Sequence, residues 1–179
     1  MRRIAVIAIF ALCFAPSLAF ACWEEAAQRY GVSPQLLYAM ARVESSLNPA
    51  AVNNSHRKDT GSYDIGLMQI NSSHLHRLAR HGIKEADLYD PCTNIHVGAW
   101  LLAGEFSRYG VSWEGVGAYN AACTQLRGKD CRAARAKYAW LVYRQLPTAL
   151  KPAPAPRITA RSTRAETVYV PILAVRVAP

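Results

Sequence analysis

Among the acidic residues of this chain, Glu44 has the sequence context best suited to moving a proton. Ser33 and Pro34 form an N-cap and first-position pair, and Leu36, Met40, Val43 and Leu47 recur on one side. That spacing predicts an amphipathic helix from Ser33 to Ser46, stopped before Asn48-Pro49. Glu44 falls beside the apolar stripe, with Ala41, Met40 and Leu37 one and two turns earlier. A carboxyl held partly out of water there titrates higher than usual, toward the range of a general acid. A lone helical Glu is more often a solvated surface residue, so the reading depends on the residues that accompany it.

Glu44 opens the segment ESSLNPAAV, a polar loop closes on GLMQIN from Gly66 to Asn71, and AYNAA follows from Ala118 to Ala122. This ordered set resembles the lytic transglycosylases, especially the small secreted ones encoded beside conjugation, type III or IV secretion and pilus machinery, and the resemblance covers roughly Cys22 to Tyr143. The resemblance implies a mainly α, goose-type lysozyme-like helical domain with a small extended or β segment lining the cleft. Its implied substrate is the glycan strand of peptidoglycan, and its chemistry needs no cofactor and no metal.

Breaking a glycosidic bond takes a proton on the leaving oxygen and stabilisation of an oxocarbenium-like centre, and most glycosidases use two carboxylates for this. In this sequence only Glu44 sits in a convincing frame, while Asp59 and Asp64 read as solvated or turn residues. The resemblance implies that Glu44 acts first as acid and then as base. It protonates the oxygen between N-acetylmuramic acid and N-acetylglucosamine, then takes the proton of the muramic 6-hydroxyl as that oxygen closes a 1,6-anhydro ring. A lysozyme-like hydrolase, with Asp64 or Asp59 positioning a water, is the second reading. A catalytically idle assembly factor is the third.

Gln69 and Asn71 carry amides suited to sugar hydroxyls and acetamido groups, and Gly66 allows close backbone approach. By the resemblance Tyr119 is a ligand of the carboxyl or of the sugar, with Asn120 closing the turn after it. Ser45 and Met68 belong to the same substrate-binding set, although Met68 reads equally well as a core side chain. Asn53 stands nine residues after Glu44, where many members have Ser, and AYNAA replaces the more usual AYNAG.

The chain of 179 residues opens with Arg2 and Arg3, an apolar run from Ile4 to Leu18 and Ala19-Phe20-Ala21, which reads as a signal peptide over residues 1–21. A membrane anchor and lipidation at Cys22 are weaker readings of the same stretch. Export to the periplasm agrees with the four cysteines left after cleavage, Cys22, Cys92, Cys123 and Cys131. Four cysteines permit three connectivities, and we favour Cys22 with Cys92 and Cys123 with Cys131. A zinc site is the rival, but the sequence has no pair of CxxC spacings and no HExxH.

Without the leader, 19 basic stand against 12 acidic side chains, a formal charge of +7, of which residues 151–179 carry +4. The folded part, residues 22–150, is thus mildly basic and lacks a basic stripe with interleaved aromatics, which argues against nucleic acid as a partner. A positive balance suits the anionic cell wall, and one core of this size is expected to act as a monomer. Helices are expected from Trp23 to Tyr30, from Ser72 or Ser73 to His81, from Pro91 to Tyr109, from Ser112 to Tyr119 and from Arg132 to Gln145. Asn48 to Tyr63 reads as loop, and Ile65 to Ile70 as an extended segment pairing with a neighbour. Residues 151–179 read as a Pro-rich basic tail, disordered or docking on a component of a secretion, conjugation or pilus complex.

Overall fold

The computed structural model describes residues 18–150, with side chains from residue 21 onward. Most of the expected leader and the whole Pro-rich tail therefore lie outside the described residues. The chain folds as α1 (Leu18–Tyr30), α2 (Pro34–Ser45), β1 (Val52–Asn53), α3 (Arg57–Thr60), β2 (Asp64–Ile65), β3 (Ile70–Asn71), α4 (Leu75–Ala79), α5 (Pro91–Tyr109), α6 (Trp113–Asn120) and α7 (Gly128–Gln145). Single 3-10 turns over Ser72–His74 and Glu85–Tyr89 lead into α4 and α5. The fold is mainly helical with a small sheet, as the sequence implies.

Cap chemistry fixes several boundaries. Ser33 accepts from the Leu36 N–H before α2, Asp90 from the Thr93 N–H before α5, and Ser112 from the Gly115 N–H before α6, each satisfying a donor that the first helical turn leaves open. Three expectations are corrected. α1 is already helical at Leu18, the first described residue and five residues before Trp23, because nothing in Leu18–Cys22 breaks a helix. Asn71 rather than Ser72 or Ser73 caps the turn into α4, which ends at Ala79. α7 begins at Gly128, so Cys131 lies inside its first turns.

The extended segment resolves into two strands. β2 and β3 pair antiparallel with Ile65 opposite Ile70 and Asp64 opposite Asn71, and Gly66 to Gln69 turn between them. β1, inside the stretch expected as loop, pairs with the other edge of β2, Val52 opposite Ile65 and Asn53 opposite Asp64. Alternation then puts Ile65 and Ile70 into the core while Asn53, Asp64 and Asn71 share the other face.

That core is built from fully buried Leu37, Met40, Ile65, Met68, Ile70, Leu78, Leu88, Ile95, Leu102 and Val142. Asn94 of α5 is buried among them with its amide fully used. Its Oδ1 accepts from the Met68 N–H at 2.7 Å, and its Nδ2 donates to the carbonyls of Leu88 at 2.7 Å and Ile65 at 3.0 Å. A Cβ on Gly66 would overlap the Asn94 amide and the Leu88 carbonyl, and φ there is +76°. The requirement for glycine at position 66 is thus met by packing against Asn94, where the sequence suggested approach of a glycan.

Both expected disulfides are formed. Cys22–Cys92 joins α1 to α5 with Cα atoms 5.3 Å apart, and Cys123–Cys131 closes the loop before α7 at 5.5 Å. The sequence separations are 70 and 8, so chain-entropy arguments assign about 4 kcal/mol to the first bridge and about 2.5 kcal/mol to the second. Replacing Cys22 and Cys92 by Ser is therefore expected to lower the melting temperature more than replacing Cys123 and Cys131. Calorimetry of the two double variants checks the order.

Candidate active site

A cleft of about 860 Å³ runs between the sheet and the helices, and Glu44, Asn53, Asp64, Gln69, Asn71, Tyr119 and Asn120 all line it. A second hollow of about 460 Å³, walled by Trp113, Trp140 and Tyr143, is largely apolar, and Glu114 on its rim is already bonded to Arg135. The motif residues gather in the larger one.

Glu44 stands in the last turn of α2, just before the chain enters left-handed conformations at Ser46 and Leu47. Tyr138, buried on α7, donates its hydroxyl to Glu44 Oε1 at 2.5 Å. The residue as a whole is half-buried, with its carboxyl turned to the buried Tyr138 and desolvated there. Burial pushes the Glu44 pKa from 4.5 up to about 7; the Tyr138 bond pulls it down, and the nearby charge of Asp64 adds a further upward push. A carboxyl so tuned is populated in both protonation states near neutrality, as an acid that must later serve as a base requires.

Asp64 is not the solvated turn residue that the sequence suggests. β2 carries it into the cleft, where Asn71 Nδ2 donates to Oδ1 at 2.8 Å and Asn53 Nδ2 to Oδ2 at 3.2 Å. His56 Nε2 lies 3.6 Å from Oδ2. Asp59, by contrast, is exposed on α3 and does not line the cleft.

The remaining motif residues divide between wall and frame. Asn71 spends its amide on Asp64 and on Ser62 Oγ, and its Oδ1 accepts from the Ser73 N–H. Gln69 takes a left-handed φ of 49° and donates Nε2 to the carbonyls of Gly66 and Ala51, leaving its Oε1 as the atom available to a ligand. Tyr119 donates its hydroxyl to the Met68 carbonyl at 2.8 Å rather than to the carboxyl, because the hairpin turn brings that carbonyl within reach. Ser45 Oγ bonds the Leu67 carbonyl at 2.8 Å and so ties the end of α2 to the same turn. The Met68 side chain is fully buried and packs on Gly98. After the exposed Asn120, Ala121 has φ −111° and its carbonyl accepts from Arg135 Nε. Ala122, the position where AYNAG has its glycine, is not among the residues with positive φ, so alanine fits there without strain.

Tyr138 and Asn94 are the residues that sequence reasoning missed. Tyr138 lies 94 residues from Glu44 in a helix with no motif around it. Asn94 did leave a trace, as an amide beside Ile95 on the apolar side of α5.

The transglycosylase SLT domain family matches residues 21–141. The chain belongs to that family. Its SLT segment is 46% identical over 126 residues to invasion protein IagB of Salmonella typhimurium, covering 70% of this chain and 76% of that protein. Protein IpgF of Shigella flexneri is 43% identical over 136 residues, with 75% and 85% covered. In three dimensions the chain is similar to an inactive mutant of lytic transglycosylase Slt from Pseudomonas aeruginosa, with a TM-score of 0.56 at 21% identity. The likeness covers 73% of this chain but only 23% of that much longer one, and it establishes the lysozyme-like fold of the SLT domain.

The raised pKa of Glu44 carries a consequence for stability. Between pH 4.5 and about 7 the folded chain binds this proton more tightly than the unfolded chain does. Stability contributed by the protonated form is therefore lost as pH rises through that window. Glu44→Gln removes the titration. Its stability is expected to match the wild type at about pH 4 and exceed it at about pH 8 by on the order of 3 kcal/mol, with a correspondingly higher melting temperature there. Thermal melts at the two pH values check this, and an equal difference at both would contradict the burial argument.

Proposed function

We propose that this chain is a peptidoglycan lytic transglycosylase, cleaving the β-1,4 bond between N-acetylmuramic acid and N-acetylglucosamine with formation of a 1,6-anhydro end. The observation that carries the reading is Glu44, its pKa at about 7, held by Tyr138 in a cleft wide enough for a glycan strand. In the first step the Glu44 proton passes to the glycosidic oxygen as the C1–O bond breaks. Positive charge then develops at C1, and the Asp64 carboxylate, fixed by Asn53 and Asn71, stabilises it across the cleft. In the second step the muramic 6-hydroxyl oxygen bonds to C1 and gives its proton to Glu44, which returns to its starting state. Tyr138 keeps the carboxylate aimed while it waits for that proton. Gln69 Oε1 and Asn120 are the groups that bind the sugars.

A hydrolase has one observation in its favour, the presence of Asp64 as a second carboxylate lining the cleft. In that reading a water takes the place of the 6-hydroxyl. Glu44→Gln is expected to abolish wall lysis by about a thousandfold or more in either case, with the fold intact. Mass spectrometry of muropeptides released in isotopically labelled water separates the two: anhydro ends without label support the transglycosylase, and label at C1 replaces it with the hydrolase.

The placement of the enzyme belongs to the same proposal. A cleaved leader over residues 1–21 delivers the domain of residues 22–150 to the periplasm as a monomer, where the bridges form. The name of one relative, an invasion protein, fits a local opening of the wall for a secretion, conjugation or pilus apparatus, with residues 151–179 as the docking segment. Truncation after Leu150 is expected to leave activity on soluble glycan chains unchanged, since the cleft is lined by residues between Glu44 and Ala134 among the described residues, and to reduce effects that need recruitment in cells. Loss of activity on soluble chains at an unchanged melting temperature would place the tail in the cleft.

A further inference from the structure

The steps above leave one charged group of the cleft without a task. The 3-10 turn before α4 contributes His74 to its lining, α4 contributes Arg77, and α5 contributes Trp100, Glu105 and Arg108, all remote in sequence from Glu44. The Arg77 guanidinium lies over the Trp100 ring, 4.3 Å from its centroid, and Nη2 is 3.4 Å from His74 Nδ1. Its Nε is buried and has no hydrogen-bond partner. Among the described residues no carboxylate forms an ion pair with it, because Glu105, the acid on this part of the wall, is paired with Arg108 at 3.2 Å. Burial and the Arg77 charge hold the His74 imidazole below its ordinary pKa, so it is a neutral neighbour and not a competing cation.

A guanidinium with a buried, unused N–H is costly unless something completes it. Stacking on Trp100 offsets part of that cost and fixes the plane of the fork. What remains is a braced cation on the cleft wall with no carboxylate paired to it among the described residues, which a ligand's carboxylate can complete. The sugar rings of a peptidoglycan strand are uncharged. Its carboxylates hang from the lactyl group of the muramic residue, chiefly on the peptide attached there. We propose that Arg77, braced by Trp100, binds a carboxylate of that stem peptide, so that the cleft selects peptide-bearing strands. The inference rests on the reading of the cleft as a peptidoglycan site.

The test measures binding by titration calorimetry to the Glu44→Gln protein, which holds ligand without cutting it. Two soluble glycan fragments are compared, one with its natural stem peptides and one with the peptide carboxyls converted to amides. Amidation is expected to weaken binding about tenfold, the value of one charge-assisted contact. The same comparison on Glu44→Gln combined with Arg77→Gln is expected to show no difference between the fragments, and Arg77→Lys to restore part of it. Equal affinity of the Arg77-intact protein for both fragments overturns the assignment, and this arm needs no Arg77 variant to fold. An Arg77→Gln protein that loses the same factor on both fragments also overturns it, since Arg77 would then act on the glycan or on the wall itself. If neither fragment binds and the wild type releases no muropeptides, the peptidoglycan reading falls together with it.

Discussion

The three hydrogen bonds of the Asn94 side chain hold together the elements that line the cleft. An amide buried without partners would cost several times what one hydrogen bond contributes, so its position on α5 is tolerable only because the hairpin and the chain before α5 return to it. The dependence runs both ways. The turn from Gly66 to Gln69 has little regular pairing of its own, and the Asn94 bonds to Ile65 and Met68 substitute for it. Tyr119 then reaches the free carbonyl of Met68 and Ser45 that of Leu67, which fastens α6 and the end of α2 to the same four residues. Glu44, Gln69, Asp64 and Tyr119 are therefore placed by a single anchored turn rather than by four separate supports.

Electrostatics places the opposite demand on the fold. Lifting a carboxyl pKa by burial means that the ionised form destabilises the folded state, and the nearby Asp64 charge adds to this. Tyr138 recovers part of the loss with one short bond, which lowers the pKa without cancelling the rise that burial causes. A Lys or Arg at that position would bond the carboxylate equally well and fix it as a permanent base, which cannot donate the first proton. The hydroxyl is the partner that orients the carboxyl while leaving both protonation states accessible. The disulfide across α1 and α5 braces the helix that carries Asn94.

What could be read from the sequence followed from how local its cause was. The caps Ser33, Asp90 and Ser112 act on donors three residues away, and α2, α5 and α6 came out within a residue of expectation. The hydrophobic stripe beside Glu44 likewise announced a desolvated carboxyl. α7 was read four residues short because Arg127 makes no side-chain cap that could mark its start. The hairpin was read as one strand, since two-residue strands are too short to show an alternation. Asp64 could not be recognised because its burial and its partners come from Asn53, His56 and Asn71 folding over it. The bond from Tyr138 spans 94 residues and has no local trace at all.

The motifs themselves read differently once their bonds are known. Asn71 looks like a sugar-binding amide, yet its donors go to Asp64 and Ser62 and its acceptor to Ser73. Gly66 looks like room for a ligand, yet that room is filled by Asn94. Ser45 follows the acid directly and holds a carbonyl of the hairpin. Each of these therefore shapes the cleft through another group: Asn71 through the Asp64 carboxylate, Gly66 through the anchored turn, Ser45 through the position of Glu44 relative to that turn. Such indirect roles explain why the motif spells out small polar residues and not a row of sugar ligands. A ligand contact tolerates a longer side chain that still reaches, whereas a buried, fully used hydrogen bond tolerates neither a change in length nor a missing partner.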